Sequence, residues 1–327
     1  MKKRTLGKSG LEIFPVALGG NVFGWTVDES TAFRILDEFT AAGGNLLDTA
    51  NSYSRWVPDN NGGESETIIG KWLKQSRKRN KVVIATKVGS PMGPGKKGLS
   101  MAHILSAVED SLRRLQTDHI DLYQSHFDDP AIPQEETLEA FASLINQGKV
   151  KAIGASNFTA ERLGEALRIS ARLGYPAYQS LQPRYNLYDR QEFEEALSSL
   201  CREKGLGVIT YYSLASGFLT GKYRSSYDLT KSERGATAGR YLNTRGFRIL
   251  EALDRVAGRY HAQLSSVALA WLMARPGITA PIASVTNLTQ LKDLLHSTTL
   301  ALDADALSIL NEASAWRAAE DSGSRAA

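Results

Sequence analysis

Four ionisable side chains lie close behind three consecutive apolar runs of the sequence. Asp48 and Tyr53 follow one run, Lys87 follows the next, and His126 follows the third. If these runs are neighbouring parallel strands of a barrel, the four side chains converge on one face. Lys87, kept charged by Asp48, is expected to lower the pKa of Tyr53 towards neutral, because a buried cation favours the phenolate. Tyr53 would then donate a proton, while His126 hydrogen-bonds a substrate oxygen.

A second group of residues, after later apolar runs, carries amides, hydroxyls and an aromatic ring. Ser156, Asn157 and Gln182 suit a carboxamide, and Tyr211 offers a flat face, so together they suit a nicotinamide ring. The loop that follows offers backbone N–H groups and a lysine to a pyrophosphate. Its candidate contacts are Ser213, Leu214, Gly217, Leu219 and Lys222. The chain has no Gly-x-Gly-x-x-Gly run opening a helix after a strand, so this dinucleotide site is not of the Rossmann type.

Short apolar runs alternate with amphipathic helical segments along the chain, which is the pattern of βα units. Eight such units without a Pro-, Ser- or charge-rich linker favour one closed (β/α)8 TIM barrel over an open doubly wound sheet. The predicted strands are Val16–Gly19, Leu46–Asp48, Val82–Thr86, Ile120–Gln124, Ala152–Ala155, Ala177–Gln182, Gly207–Tyr211 and Ala280–Ala283. The predicted helices are Ser30–Ala42, Glu64–Gln75, Met101–Leu115, Gln134–Asn146, Ala160–Leu173 and Gln191–Glu203.

Three further segments complete the predicted single domain, which spans residues 1–327. Residues 5–11 are expected to form an N-terminal β-hairpin that plugs the bottom of the barrel. Residues 213–243 are predicted to form a long cofactor-covering loop, whose Gly, Ser, Thr and Arg content over 213–239 indicates no core of its own. Residues 303–318 are predicted to form a C-terminal helix.

The composition narrows the class of protein. The 327 residues include 39 basic and 35 acidic side chains, a net charge of +4, with 42% hydrophobic and 23% charged residues, which is typical of a globular chain. A single cysteine, Cys201, excludes an internal disulfide framework. Because the sequence has no signal-peptide pattern, no long apolar stretch and no dense basic block, we expect a cytoplasmic protein with neither membrane nor nucleic-acid partners. A monomer or weak homo-oligomer is expected.

Two other barrel chemistries fit the sequence poorly. Metal-dependent hydrolases need clustered histidine and carboxylate ligands, but only His126 among the five histidines lies at a predicted strand end, so no metal is predicted. A glycosidase needs two carboxylates across the mouth, and only Asp48 lies at a strand end, beside a lysine that would pair with it.

The chain resembles the aldo-keto reductase superfamily over nearly its whole length. The motifs that carry the resemblance are Asp48-Thr49-Ala50 with Tyr53, Ala85-Thr86-Lys87, Gln124-Ser125-His126, Gly154-Ala155-Ser156-Asn157-Phe158, Gln182 and Leu219-Thr220-Gly221-Lys222-Tyr223. The resemblance implies that Tyr53 is the general acid, that Asp48 and Lys87 tune it, and that His126 orients the substrate. It further implies that Lys222 and Arg234 contact the cofactor phosphates, and that residues 284–290, including Ser284, Thr286 and Gln290, contact the adenosine end.

The choice between NADP(H) and NAD(H) depends on the stretch after the last strand. Members of the superfamily that strongly prefer NADPH usually present a basic residue there, because charge-assisted bonds hold the 2′-phosphate. This stretch has no arginine, although Ser284, Thr286 and Asn287 are suited to a phosphate and Lys292 follows them. NADP(H) is therefore the favoured cofactor and NAD(H) the second candidate.

The resemblance implies reversible, NAD(P)H-dependent reduction of an aldehyde or ketone to an alcohol. An alternative is a redox-sensing regulatory subunit that holds the cofactor and turns over slowly; a third hypothesis is a racemase or isomerase, which would show no net cofactor change. Trp25 and Trp56 lie in loops above the predicted mouth, where they are candidates for the wall of a substrate pocket.

Overall fold

The computed structural model describes residues 2–316, and its centre is a closed barrel of eight parallel strands. The predicted TIM barrel is therefore confirmed. A two-stranded antiparallel sheet precedes it, formed by β1 (Arg4–Thr5) and β2 (Glu12–Ile13). The barrel strands, in chain order and in their order around the barrel, are β3 (Ala17–Gly19), β4 (Leu46–Asp48), β5 (Val83–Val88), β6 (Ile120–Ser125), β7 (Val150–Ser156), β8 (Ser180–Gln182), β9 (Gly207–Thr210) and β10 (Ile278–Ala283).

Helices surround the barrel, and several of them match the predicted bounds. The helices are α1 (Glu29–Ala41), α2 (Glu64–Ser76), α3 (Met101–Leu115), α4 (Gln134–Asn146), α5 (Ala160–Leu173), α6 (Ser198–Lys204), α7 (Gly235–Ala238), α8 (Thr244–Tyr260), α9 (Leu264–Ala274), α10 (Leu288–His296) and α11 (Ala304–Ala313). A π-helical turn, Phe193–Leu197, leads directly into α6, so the predicted helix 191–203 is irregular in its first half. The predicted C-terminal helix is shorter than expected, and its last two predicted residues, 317 and 318, lie outside the described residues.

Side-chain caps explain where several helices begin. The oxygens of Asp28, Ser100 and Thr159 accept hydrogen bonds from backbone N–H groups of the first turns of α1, α3 and α5. Gly174 ends α5 in the left-handed conformation, which glycine adopts without steric cost. The caps fix the βα junctions that surround the mouth of the barrel.

The N-terminal hairpin closes the bottom of the barrel, as predicted. Leu6, in its connecting turn, is fully buried in a cluster with interior barrel residues such as Leu46 and Ile209. Gly7 has a φ of 55°, and a Cβ there would come within 2.1 Å of the Gln179 carbonyl oxygen, so only glycine fits. The barrel is thereby sealed at one end, and its open end is the face where the strands terminate.

The segment after β9 is more structured than its composition indicates. It contains short helical turns at Ala215–Thr220, Ser226–Lys231 and Gly239–Tyr241, together with α7. Phe218, Leu219, Tyr223 and Tyr241 in this segment are fully buried, so the segment packs into the core of the domain more than the composition of 213–239 indicates. Burial of these side chains outweighs the polar composition of the rest of the loop. Two guanidinium hydrogen bonds of 2.7 Å from Arg224 to Asp254 also anchor the segment to α8.

Residues 2–316 contain neither a membrane-spanning helix nor a cluster of metal ligands. None of the described helices is long and apolar enough to cross a membrane. The described part of the chain also contains no group of three or more His, Cys, Asp or Glu side chains placed to hold a metal ion.

Candidate active site

Asp48, Lys87 and Tyr53 form one hydrogen-bonded cluster at the open end of the barrel. Asp48 ends β4 and Lys87 lies near the end of β5, while Tyr53 follows in the loop after β4. The Lys87 ammonium donates to Asp48 Oδ2, the Thr49 carbonyl oxygen and the Tyr53 hydroxyl oxygen, each at 2.8 Å. Lys87 is fully buried and Asp48 is 2% exposed. The three ammonium hydrogens thus have three acceptors, and one acceptor is the Asp48 carboxylate. Such an environment stabilises a charged lysine.

The electrostatics of this cluster differ from the sequence-based expectation. Burial raises the pKa of Tyr53 well above its usual value, Asp48 raises it further, and Arg234 opposes the shift. Burial also lowers the pKa of Lys87, against the effect of the Asp48 carboxylate. The prediction that Lys87 brings the tyrosine pKa towards neutral was therefore wrong, because desolvation of the phenolate and the Asp48 carboxylate outweigh the opposing charge of Arg234. Tyr53 keeps its proton at neutral pH.

His126 follows β6 and faces the same mouth. Its ring centroid lies 6.1 Å from that of Tyr53, and its ring stacks on Phe127 at 4.9 Å. Burial, and then the charge of Lys87, lower the pKa of His126 to about 3, so the ring is neutral at physiological pH. The Nδ1 atom is buried and has no hydrogen-bond partner within residues 2–316. A neutral imidazole offers one N–H donor and one acceptor nitrogen to a substrate oxygen.

The four residues predicted to surround a nicotinamide lie together next to this cluster. The Ser156 hydroxyl donates to the backbone carbonyl oxygen of Gln182 at 2.8 Å, and the Tyr211 hydroxyl donates to Asn157 Oδ1 at 2.6 Å. Asn157 Nδ2 donates to the carbonyl oxygen of His126 at 2.8 Å, which joins this group to the histidine. Ser156 also lies opposite Gln182 in the β7–β8 register. All four residues line one cavity.

Most of the predicted phosphate contacts also line that cavity. Ser213, Leu214, Gly217, Lys222 and Arg234 are among its lining residues. The backbone between them turns sharply, because Ala215, Ser216 and Gly217 have φ values of 49°, 57° and 89°. A left-handed conformation costs energy at the two non-glycine positions, and such strain clusters at binding sites.

Leu219 is placed differently from its prediction as a cofactor contact. Its side chain is fully buried in the core, and its backbone N–H donates to the Leu214 carbonyl oxygen at 3.2 Å. Neither group faces the cavity. Leu219 is therefore a core residue of this segment, although its neighbours in the motif line the cavity.

The predicted adenosine contacts Ser284, Thr286 and Gln290 line the far part of the same cavity. Gln290 Oε1 accepts from the backbone N–H of Thr286 at 2.8 Å, and Ser284 donates to Asn21. Asn21 was not predicted, although it follows β3 in the way that the other site residues follow their strands. The cavity therefore reaches across the barrel from β7 to β10.

The two predicted tryptophans have unequal positions. Trp56 is 51% exposed and lines the cavity, whereas Trp25 packs edge-on against Trp56, with ring centroids 5.6 Å apart, and is not a lining residue. The Arg234 guanidinium lies 5.3 Å from the Trp25 ring centroid. Trp25 thus supports Trp56 and Arg234, and does not itself line the cavity.

The cavity has a volume of about 960 Å³, large enough for a dinucleotide together with a small substrate. Sequence reasoning missed Phe127, Arg184, Tyr212 and Asp293, which also line it. Arg184 lies over the rings of Tyr211 and Tyr212, at 6.0 and 5.4 Å, and has no carboxylate within 4 Å in the described part of the chain. Lys222, Arg234 and Arg184 line this cavity without a carboxylate within 4 Å among residues 2–316, and such unpaired cations suit an anionic dinucleotide. The residues present fit that group.

The fold and this site are those of one enzyme class. The family model described as "Aldo/keto reductase family" matches residues 15–315, and the chain belongs to that family. The family carries out NAD(P)H-dependent carbonyl reduction, so the protein is an oxidoreductase of this class.

Three proteins that are similar to the chain over most of its length include two that are named as an oxidoreductase or aldo-keto reductase. The chain is 38% identical over 319 residues to the uncharacterized oxidoreductase YrpG of Bacillus subtilis, which covers 95% of each chain. It is 32% identical to the aldo-keto reductase YhdN of the same organism, covering 93% of this chain and 91% of that protein. It is also 32% identical over 300 residues to a probable voltage-gated potassium channel subunit beta of Oryza sativa, covering 89% of each.

Proposed function

We propose that the protein reduces an aldehyde or ketone to an alcohol, reversibly, with Tyr53 as the proton donor. The observation that carries this proposal is the contact of 2.8 Å between the Lys87 ammonium and the Tyr53 hydroxyl, in a mouth shared with a neutral His126. The reduced nicotinamide, when bound, supplies the hydride.

Each residue of the cluster has one task in this reaction. Tyr53 holds its proton and gives it to the carbonyl oxygen. Lys87 donates a hydrogen bond to the phenol oxygen and stabilises the negative charge that develops there. Asp48 holds Lys87 in place, and His126 hydrogen-bonds the substrate oxygen.

The cofactor proposal uses the remaining cavity residues. Ser156, Asn157 and Gln182 are assigned to the carboxamide, and Tyr211 to the face of the ring. Lys222 and Arg234 are assigned to the pyrophosphate, because both are cations that line the cavity without a carboxylate within 4 Å inside residues 2–316. Ser213, Leu214 and Gly217 supply the turn beside it. Ser284, Thr286 and Gln290 are assigned to the adenosine end, with NADP(H) favoured over NAD(H).

A second candidate is a cofactor-holding regulatory subunit with slow turnover. Similarity to the proteins named as probable potassium channel subunits beta favours it. The complete cluster of Asp48, Lys87, Tyr53 and His126 favours the enzyme, because a protein that only holds a cofactor has no need of a buried proton donor beside a cation.

Stopped-flow fluorescence distinguishes the two functions. The protein is loaded with NADPH or NADH and mixed with a panel of aldehydes and ketones, and the reverse reaction is run with alcohols and NADP⁺ or NAD⁺. Repeated turnover within seconds with at least one carbonyl supports the enzyme. Tight cofactor binding with a single slow oxidation across the whole panel supports the regulatory subunit.

A further inference from the structure

The side-chain amide of Gln182 lies between the predicted cofactor site and the proton-donating cluster. Its Nε2 donates to Asp48 Oδ1 at 2.8 Å and to Gln124 Oε1 at 3.2 Å. Gln182 and Asp48 are each 2% exposed, and Gln124 is fully buried. Asp48 uses its other oxygen, Oδ2, for Lys87. The Asp48 carboxylate therefore connects Gln182 to the ammonium that contacts Tyr53.

This arrangement fixes which way the Gln182 amide points. An ionised carboxylate only accepts hydrogen bonds, so Gln182 must present its NH2 group to Asp48. Both hydrogens of that group are then used, by Asp48 and by Gln124. The group left for a ligand is the carbonyl oxygen Oε1, which accepts. A carboxamide N–H2 is the complementary donor.

We propose that Gln182 is a positioning residue for Asp48 as well as a contact of the cofactor, so that the carboxamide and the Asp48–Lys87–Tyr53 cluster are linked through one buried amide. The inference rests on the proposed function, because it takes the cofactor to be NAD(P)H. It goes beyond the proposed function by assigning Gln182 to the proton-donating cluster. A residue that only contacts the carboxamide would not need to hydrogen-bond Asp48.

The charged and titratable groups around the linked cluster come from several elements. Arg234 and Tyr211, both after β9, act electrostatically on Tyr53. Lys87 on β5 and Tyr53 in the loop after β4 contact Asp48. His126, after β6, lies near Lys87, and Glu66 on α2 also acts electrostatically on Lys87. Glu66 is held by Thr86 at 2.5 Å and by Arg114 at 2.7 Å. Gln182 is a neutral donor to Asp48, so its loss changes hydrogen bonding in the cluster without changing its net charge.

A double-mutant cycle on cofactor binding tests the link without any turnover. NADPH affinity is measured by fluorescence titration for the wild type, Gln182→Met, Asp48→Asn and the double variant. Gln182→Met should weaken binding by about 5- to 30-fold in the wild-type background, because it leaves the buried N–H2 group of the carboxamide without its acceptor. In the Asp48→Asn background, the loss of NADPH affinity caused by Gln182→Met should be at least roughly threefold smaller. Without the Asp48 carboxylate, the Gln182 amide is no longer held with its carbonyl oxygen towards the cofactor.

The single-turnover rate of 4-nitrobenzaldehyde reduction at saturating NADPH provides the second readout. In Gln182→Met this rate should fall at least tenfold, because Asp48 has lost the amide donor that helps to hold it beside Lys87. Gln179→Met is the matched control. Among residues 2–316, its Nε2 donates to the Ala177 carbonyl oxygen alone, outside the cluster, so both readouts should stay at wild-type values.

The outcomes separate the two proposals. Additive losses in the cycle, with an unchanged single-turnover rate in Gln182→Met, would overturn the link and leave the proposed function standing. A wild type that binds none of NADPH, NADP⁺, NADH and NAD⁺ would overturn the proposed function and this inference with it. If Gln182→Met does not fold, Gln182→Glu replaces it. The added carboxyl would then share a proton with Asp48 and make NADPH binding fall as the pH rises, and pH-independent binding would refute the link.

Discussion

Replacing Lys87 with methionine keeps the length of the side chain and removes the buried cation. In the wild type the ammonium makes three hydrogen bonds of 2.8 Å, and one of them compensates the Asp48 carboxylate, which is 2% exposed. The variant leaves that carboxylate buried without its counter-ion. It also leaves the Tyr53 oxygen without the Lys87 donor. The first loss should lower the folding stability and the second should lower the reaction rate, and the two effects can be measured separately.

The structure sets the size of both effects. Breaking a buried ion pair by removing one partner costs about 3–5 kcal/mol of folding free energy. Loss of a charge-assisted hydrogen bond to the reacting oxygen costs about 1.5–3 kcal/mol in the transition state, which is about 10- to 150-fold in rate. Lys71→Met is the control, because the Lys71–Glu29 pair on the surface is about half exposed and should cost no more than about 1 kcal/mol.

The assays are urea unfolding and single-turnover reduction as a function of pH. The double variant Asp48→Asn with Lys87→Met removes both charges, so it should recover most of the lost stability while its reduction rate stays low. Lys87→Met unfolding at the same urea concentration as Lys71→Met would refute the role of the pair in stability. A wild-type rate and pH profile in Lys87→Met would remove Lys87 from the reaction.

Three further predictions follow from the site. Tyr53→Phe should lower kcat at least 10²-fold, the usual range for a general acid, while NADPH titration shows unchanged affinity; near wild-type turnover would exclude Tyr53 as donor. Lys222→Ala should weaken NADP⁺ binding by about 1.5–3 kcal/mol and flatten its salt dependence, and amide exchange over residues 217–239 should slow on adding NADP⁺. Equal exchange with and without NADP⁺, and equal affinity, would remove the loop from cofactor binding. The pKa of His126, about 3 when folded, lies below its unfolded value, so its contribution to stability is present at neutral pH and is lost as the pH falls from about 6.5 towards 3. In urea unfolding, His126→Gln should therefore lose less stability than the wild type between pH 7 and pH 5, and equal losses would contradict the shift.

The barrel and the strand-end residues were predictable because both follow from local periodicity. Buried parallel strands appear as short apolar runs, and residues after them share one face whatever the details of packing. The bounds of α3, α4 and α5 were predicted to the residue for a related reason, since caps and apolar spacing mark helix ends locally. Asn21 and Arg184 follow strands in the same way and were within reach of the same reasoning.

The packing of the long segment after β9 was not predictable from composition. Its apolar residues are too few and too scattered to show a period, yet Phe218 and Tyr241 stack with ring centroids 5.4 Å apart and are fully buried. Leu219 was misplaced for the same reason, because a motif gives the order of residues and not the direction of each side chain. Trp25 and Trp56 both lie in loops after strands, so the sequence does not distinguish them. Tertiary contacts make Trp56 a lining residue and place Trp25 behind it.

The raised pKa of Tyr53 alters how Lys87 is expected to act. A proton donor must carry its proton before the reaction begins, and burial ensures this for Tyr53 across the physiological range. A cation that lowered the pKa of the resting tyrosine to neutral would leave part of the enzyme without a proton to give. The hydrogen bond from Lys87 becomes stronger as negative charge develops on the phenol oxygen, so it stabilises the transition state more than the ground state. In the proposed reaction Lys87 therefore contributes to rate while burial keeps the proton on Tyr53, and one buried cluster meets both requirements.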